Sequence, residues 1–177
     1  MALLTYFAYG SNMLTERLRR RVPSAHPIGS ARLDDWALRF HKHGQDGSAK
    51  CNIVKADGGV VHGVIFEIEP GERYLLDEAE GLGCGYELAR VDVHREGREH
   101  DAFCYVASEH YIEPSLAPFE WYLDFVRHGA AEHGLPLDYR RRFEQLEALD
   151  DERRSRAQKN RSILAAGAAH VEETVLV

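Results

Sequence analysis

Two hydrophobic periods divide this chain. To about residue 107 the apolar side chains recur mostly at alternate positions; beyond it they recur at helical spacing. Leu3 to Tyr9 reads as a strand, and Leu14 to Arg21 as a helix ending near Pro23. Arg32 to His41 reads as a strand in which Trp36, Leu38 and Phe40 alternate with Ala37, Arg39 and His41. After the turn-rich stretch Gly44 to Ser48 comes a short strand, Cys51 to Lys55. Asp57-Gly58-Gly59 then signals a hairpin into Val60 to Ile68. Pro70 opens a helix through Glu80, which Gly81, Gly83 and Gly85 break. Tyr86 to Arg95 and Ala102 to Ala107 read as strands around a Glu96-Gly97-Arg98 turn.

The remainder reads as helices: Pro118 to His133, Leu137 to Leu149, and a last one from Asp150 or Asp151 to Ala166, stopped by Gly167. Val171 to Val177 is open between a late strand and a frayed end. Strands first and helices after is the α+β pattern.

At 177 residues, with 44% hydrophobic content, the chain can bury a proper core. Its net charge is −7, from 29 acidic against 22 basic residues, which argues against nucleic-acid binding and against an anionic membrane surface. The N-terminal apolar stretch is too short for a signal peptide, and no run approaches a membrane span. Cys51, Cys84 and Cys104 are odd in number and widely spaced, so they read as free thiols of a cytoplasmic protein. His41 and His43 share a strand face without a further ligand cluster, and no metal or cofactor is expected. Arg17, Arg19, Arg20 and Arg21 read best as a solvated helix end, with steering of an acidic substrate as the sharper alternative.

The run Phe7-Ala8-Tyr9-Gly10-Ser11-Asn12-Met13 joins the first strand to the first helix. Gly10 admits close approach to the backbone. Ser11 and Asn12 are good N-cap types, and the first N–H groups of a helix lack internal partners, so a carboxylate or oxyanion is welcome there. An ordinary capped turn would have the same composition.

Tyr-Gly-Ser-Asn-Met after an apolar strand resembles the γ-glutamylcyclotransferase family of AIG2-like and BtrG-like folds. Val61 to Ile68 is similar to the family's central strand. Leu76-Asp77-Glu78-Ala79-Glu80-Gly81 with Gly85-Tyr86 is similar to the segment that carries its catalytic glutamate. Pro114-Ser115 with Tyr122, and Glu132 to Tyr139, are similar to its C-terminal helical signature. The resemblance covers roughly residues 4 to 140. It implies a small mixed barrel-like sheet with packed helices, a γ-glutamylcyclotransferase-like domain over 1–142, and a helical C-terminal extension over 143–177 packed on it.

The implied reaction is intramolecular aminolysis of a γ-glutamyl amide, releasing 5-oxoproline and a free amine. Such chemistry needs a base, and the resemblance assigns it to Glu80 rather than to Glu78 two positions away. It assigns glutamyl binding to Gly10, Ser11 and Asn12, and the pocket wall to Tyr9, Tyr105 and Tyr122. Extra residues, Leu116 to Trp121, precede Tyr122 and point to a different leaving-group pocket. The implied partner is a small γ-glutamyl compound, and the implied assembly a homodimer. Two alternatives stay open: an enzyme that removes a γ-glutamyl protecting group, and a non-catalytic γ-glutamyl- or 5-oxoproline-binding or stress-response protein on the same fold.

Overall fold

The computed structural model describes residues 2–175, with side chains described through residue 167. Five strands form a closed barrel: β1 (Leu4–Ala8), β2 (His26–His43), β3 (Ala49–Ile68), β4 (Tyr86–Arg95) and β5 (Arg98–Ala107), in the order β1-β3-β2-β4-β5. β1 runs antiparallel to the end of β3, from Leu4 opposite Ile68 to Ala8 opposite Val64. A parallel pairing of Tyr6 with Phe103 on β5 closes the circle. Phe7, Ile53, Ile65, Phe66 and Ile68 are fully buried in the core that results.

β2 and β3 are long because neither stops where expected. Asp57-Gly58-Gly59 does not reverse the chain. Asp34 pairs with Val60 and Trp36 with Lys55, so the intervening residues of β3 bulge out opposite Asp35. Asp35 takes a positive φ of 62°, and its carboxylate accepts the Gly58 N–H at 2.9 Å. That bond, with pairing to β2 on both sides, replaces the expected turn.

Five helices accompany the barrel, α1 (Thr15–Arg19), α2 (Arg73–Glu80), α3 (Glu120–Glu132), α4 (Leu137–Glu144) and α5 (Arg154–Val175), and α3 packs on both α4 and α5. α4 stops at Glu144 rather than Leu149, because Leu149 exchanges backbone hydrogen bonds at 2.9 Å with Pro118 and Glu120. α5 continues through Gly167, which does not end it. A side chain at Gly167 would lie 3.5 Å from Glu16 Cβ, so a small residue suits the crossing with α1. The tail residues 171–175 extend α5, and 176–177 lie outside the described residues. Ala157 on α5 is buried, and α5 packs on α1 and α3.

Candidate active site

The strand β1 ends at Ala8, and Ser11–Met13 form a single 3-10 turn before α1. Neither Ser11 nor Asn12 caps a helix with its side chain. With three residues in the turn and five in α1, little dipole accumulates. The turn offers instead the N–H groups of Ser11 and Asn12, which meet no protein acceptor among the described residues.

Asn12 faces inward and is 4% exposed. Its amide nitrogen donates to Glu80 Oε1 at 2.8 Å and to the Tyr6 hydroxyl at 3.0 Å. Its carbonyl oxygen accepts from Arg21 at 3.0 Å, and the same guanidinium nitrogen donates to Glu80 Oε1 at 2.7 Å. Asn12, Arg21 and Glu80 thus close a triangle. Arg21 is no solvated helix end; it leaves the surface because Glu80 is there to receive it. Glu80 Oε2 accepts no hydrogen bond among the described residues.

Glu80 holds this place because it is the last residue of α2. Gly81 caps the helix in the left-handed conformation, at φ 66°, where a Cβ would strain the backbone. Glu78, two residues earlier, is exposed.

A small cleft lies against this triangle. It is lined by all seven residues singled out from the sequence: Tyr9, Gly10, Ser11, Asn12, Glu80, Tyr105 and Tyr122. Tyr6, Cys51 and Tyr86 complete it and were not anticipated. Tyr86 directly follows the glycine-rich break, and that position is the one local signal it carried. The Tyr122 hydroxyl accepts the Cys51 N–H at 2.9 Å, and the Tyr86 hydroxyl donates to the Cys51 carbonyl at 2.6 Å. One β3 residue therefore fixes two walls. Tyr9 donates to the Tyr105 carbonyl, and Tyr105 donates to Asp77 at 2.6 Å. Gly10 is backed so closely that a Cβ there would stand 2.9 Å from Cys51 Cβ and 3.5 Å from the Tyr122 hydroxyl.

Burial above all pushes all five tyrosine hydroxyls well above their ordinary range, with the charge of Glu80 adding to it at each and the hydrogen bond to Asp77 at Tyr105. The cavity wall is consequently neutral. Burial also pushes the Cys51 thiol up to about 12, so it is no nucleophile at neutral pH. A wider vestibule adjoins the cavity and shares Ser11, Glu80, Tyr86 and Tyr122 with it.

An unoccupied carboxylate oxygen, two orphan N–H groups and a neutral aromatic wall suit proton transfer beside an acyl group. Residues 60–143 match the model of the AIG2-like family. The chain is 35% identical to γ-glutamylcyclotransferase of Homo sapiens over 152 residues, covering 82% of this chain and 79% of that protein. It belongs to the γ-glutamylcyclotransferase family. A solved structure titled γ-glutamyl cyclotransferase superposes with a TM-score of 0.77 at 33% identity, covering 85% of this chain and 92% of the other. A yeast cyclotransferase whose title gives it as specific to glutathione shares the fold alone. It has a TM-score of 0.60 at 13% identity, over 81% of this chain and 94% of its own. The AIG2-like match contains Glu80, Tyr86, Tyr105 and Tyr122 and begins after the Gly10-Ser11-Asn12 turn.

Proposed function

We propose that this member of the γ-glutamylcyclotransferase family cyclises γ-glutamyl amides to 5-oxoproline, with Glu80 as the base and then the acid. The observation that carries the assignment is the Asn12–Arg21–Glu80 triangle. It fixes one oxygen of Glu80 and leaves the other without a hydrogen bond among the described residues, at a residue that lines the cavity. The reading is as follows. The glutamyl chain curls against the Gly10-Ser11-Asn12 turn, and Glu80 takes a proton from its α-amine. The amine nitrogen attacks the γ-carbonyl carbon, forming the C–N bond of the lactam. The N–H groups of Ser11 and Asn12 receive the carbonyl oxygen as it becomes negative. Glu80 returns the proton to the departing nitrogen as the original amide C–N bond breaks.

Water is not consumed, because the nucleophile is the substrate's own α-amine, held beside the γ-carbonyl. Holding the chain curled is worth up to about 7–11 kcal/mol of barrier at best. Each well-aimed oxyanion donor is worth about 3–4 kcal/mol. The three free cysteines support a reducing compartment for the enzyme.

Glu80→Gln tests the assignment. Glutamine keeps an oxygen for Asn12 and Arg21 and loses the basicity. The variant should melt like wild type while 5-oxoproline formation, followed by mass spectrometry, falls about 10²–10⁴-fold. Full turnover would refute Glu80. Tight 5-oxoproline binding without turnover of any γ-glutamyl compound would make this a binding protein.

A further inference from the structure

The vestibule outside Glu80 carries more positive charge than its own acids can neutralise. Arg17, Arg21, Lys42 and Lys50 line it, with Asp46, Glu78 and Glu80. Arg21 is paired with Glu80 and Lys50 with Asp46, each at 2.7 Å. Glu78 is exposed. Lys42 and Arg17 make no salt bridge and donate no side-chain hydrogen bond among the described residues.

Lys42 is the more telling of the two, at 7% exposure. A lysine so covered is rare without a direct partner, and the carboxylates of Glu80 and Asp46 act on its ammonium only from beyond salt-bridge distance. Its Nζ lies 4.8 Å from the centre of the Tyr86 ring and 5.7 Å from that of Tyr111. The fold makes room for it: a Cβ at Gly85 would stand 2.9 Å from Nζ. The rings contribute a weak attraction but accept none of its hydrogens conventionally. Arg17 is similar. Its guanidinium stacks over Phe125 at 4.2 Å, and its buried Nε has no partner. Burial, with Arg21 nearby, pushes it down to about 9, so it remains a cation at neutral pH.

The vestibule meets the cavity at Glu80, the residue that hands a proton to the departing nitrogen. On the cyclotransferase reading, the group that this nitrogen carries would extend into the vestibule. We propose that Lys42 and Arg17 form an anion subsite for the leaving amine, and that the preferred substrates are γ-glutamyl derivatives of amines bearing two anionic groups, carboxylate or phosphate. This rests on the cyclotransferase reading and names its substrate class. Two unpaired cations match two anionic groups, whereas a cationic amine such as a polyamine would add charge to an already positive chamber. Trp121, from the extra residues before Tyr122, lines the same chamber.

The test is a kcat/KM panel on the full-length enzyme, read as lactam formed. The substrates are γ-glutamyl-glutamate, γ-glutamyl-O-phosphoserine, γ-glutamyl-alanine, γ-glutamyl-ethylamine and γ-glutamyl-putrescine. Wild type should favour the two dianionic amines over alanine, and alanine over ethylamine, with putrescine last. Whichever of glutamate and phosphoserine leads identifies the group bound, and either supports the subsite. In Lys42→Met, which keeps the stem and removes the charge, the glutamate-to-ethylamine ratio should drop about tenfold to a hundredfold. Arg17→Met provides an independent second variant should the first not fold. A flat panel, a preference for putrescine, or an unchanged ratio in folded variants would overturn the subsite and leave the cyclotransferase standing. Lactam from none of the five would overturn both.

Discussion

Asn12 spends both amide hydrogens and its carbonyl inside the protein, on Glu80, Tyr6 and Arg21. Its backbone N–H is what remains for a ligand. Asn12→Ala should therefore act on Glu80 more than on substrate: kcat should fall while KM changes little, and the reverse split would count against this. Gly10 is sensitive to space alone. Gly10→Ala places a methyl 2.9 Å from Cys51 Cβ. It should push Cys51 back, with the Tyr122 and Tyr86 hydroxyls that bond to it, and so weaken 5-oxoproline binding measured by calorimetry; unaltered affinity would show that the ligand lies elsewhere. The sequence pointed to Asn12 and Gly10 through the motif, yet it hid Arg21. Within a helix, charge partners are sought three or four residues away. That search finds Arg20 with Glu16, at 2.7 Å. The partner of Arg21 is Glu80 on α2, and no local spacing announces a pair that only the closed barrel brings together.

Strand and helix limits show the same division between local and distant causes. Tyr86–Arg95 is β4 as read, because a clean alternation and a Glu96-Gly97 turn settle it locally. Asp57-Gly58-Gly59 carries hairpin chemistry and yet bulges, because β2 is long enough to pair on both sides of it. α4 ends early for a tertiary reason, the Leu149 pairing with Pro118 and Glu120. Asp151 fastens α5 in turn. Its buried carboxylate accepts from Trp121 at 2.8 Å, from Arg156 at 2.6 Å and from the Arg153 N–H at 2.9 Å. Asp151→Asn should cost about 1–3 kcal/mol in urea denaturation. The Arg156 hydrogen bonds, above the other donors, hold Asp151 well below the ordinary carboxylate range. A depressed folded value contributes stability that is complete above the unfolded value of about 3.9 and is lost as pH falls through the folded one. The wild-type advantage over Asp151→Asn should thus be full at neutral pH and shrink below about pH 4. A gap that stays constant into strong acid would exclude Asp151 as its source.

The catalytic candidates come from β1, the 3-10 turn, α2, β4, β5 and α3, so the site exists only when the barrel is closed. We propose that residues 143–177 belong to this same cooperative unit, since α5 packs on α1 and α3. Calorimetry should give one transition of about 120 kcal/mol near 60 °C. Two resolved transitions would make the extension a separate unit. The charge of the whole is −7, yet the vestibule is locally positive, which would draw an acidic substrate to one face of a molecule that repels it elsewhere.

Of the three cysteines, Cys51 and Cys104 are buried with thiols pushed up to about 12, whereas Cys84 is exposed. Cys84 also lines the vestibule. A maleimide dye should accordingly attach at one position of the natural sequence, in the wall of the vestibule. The unmutated enzyme thus carries its own labelling site, from which fluorescence can follow the filling and emptying of that chamber in real time.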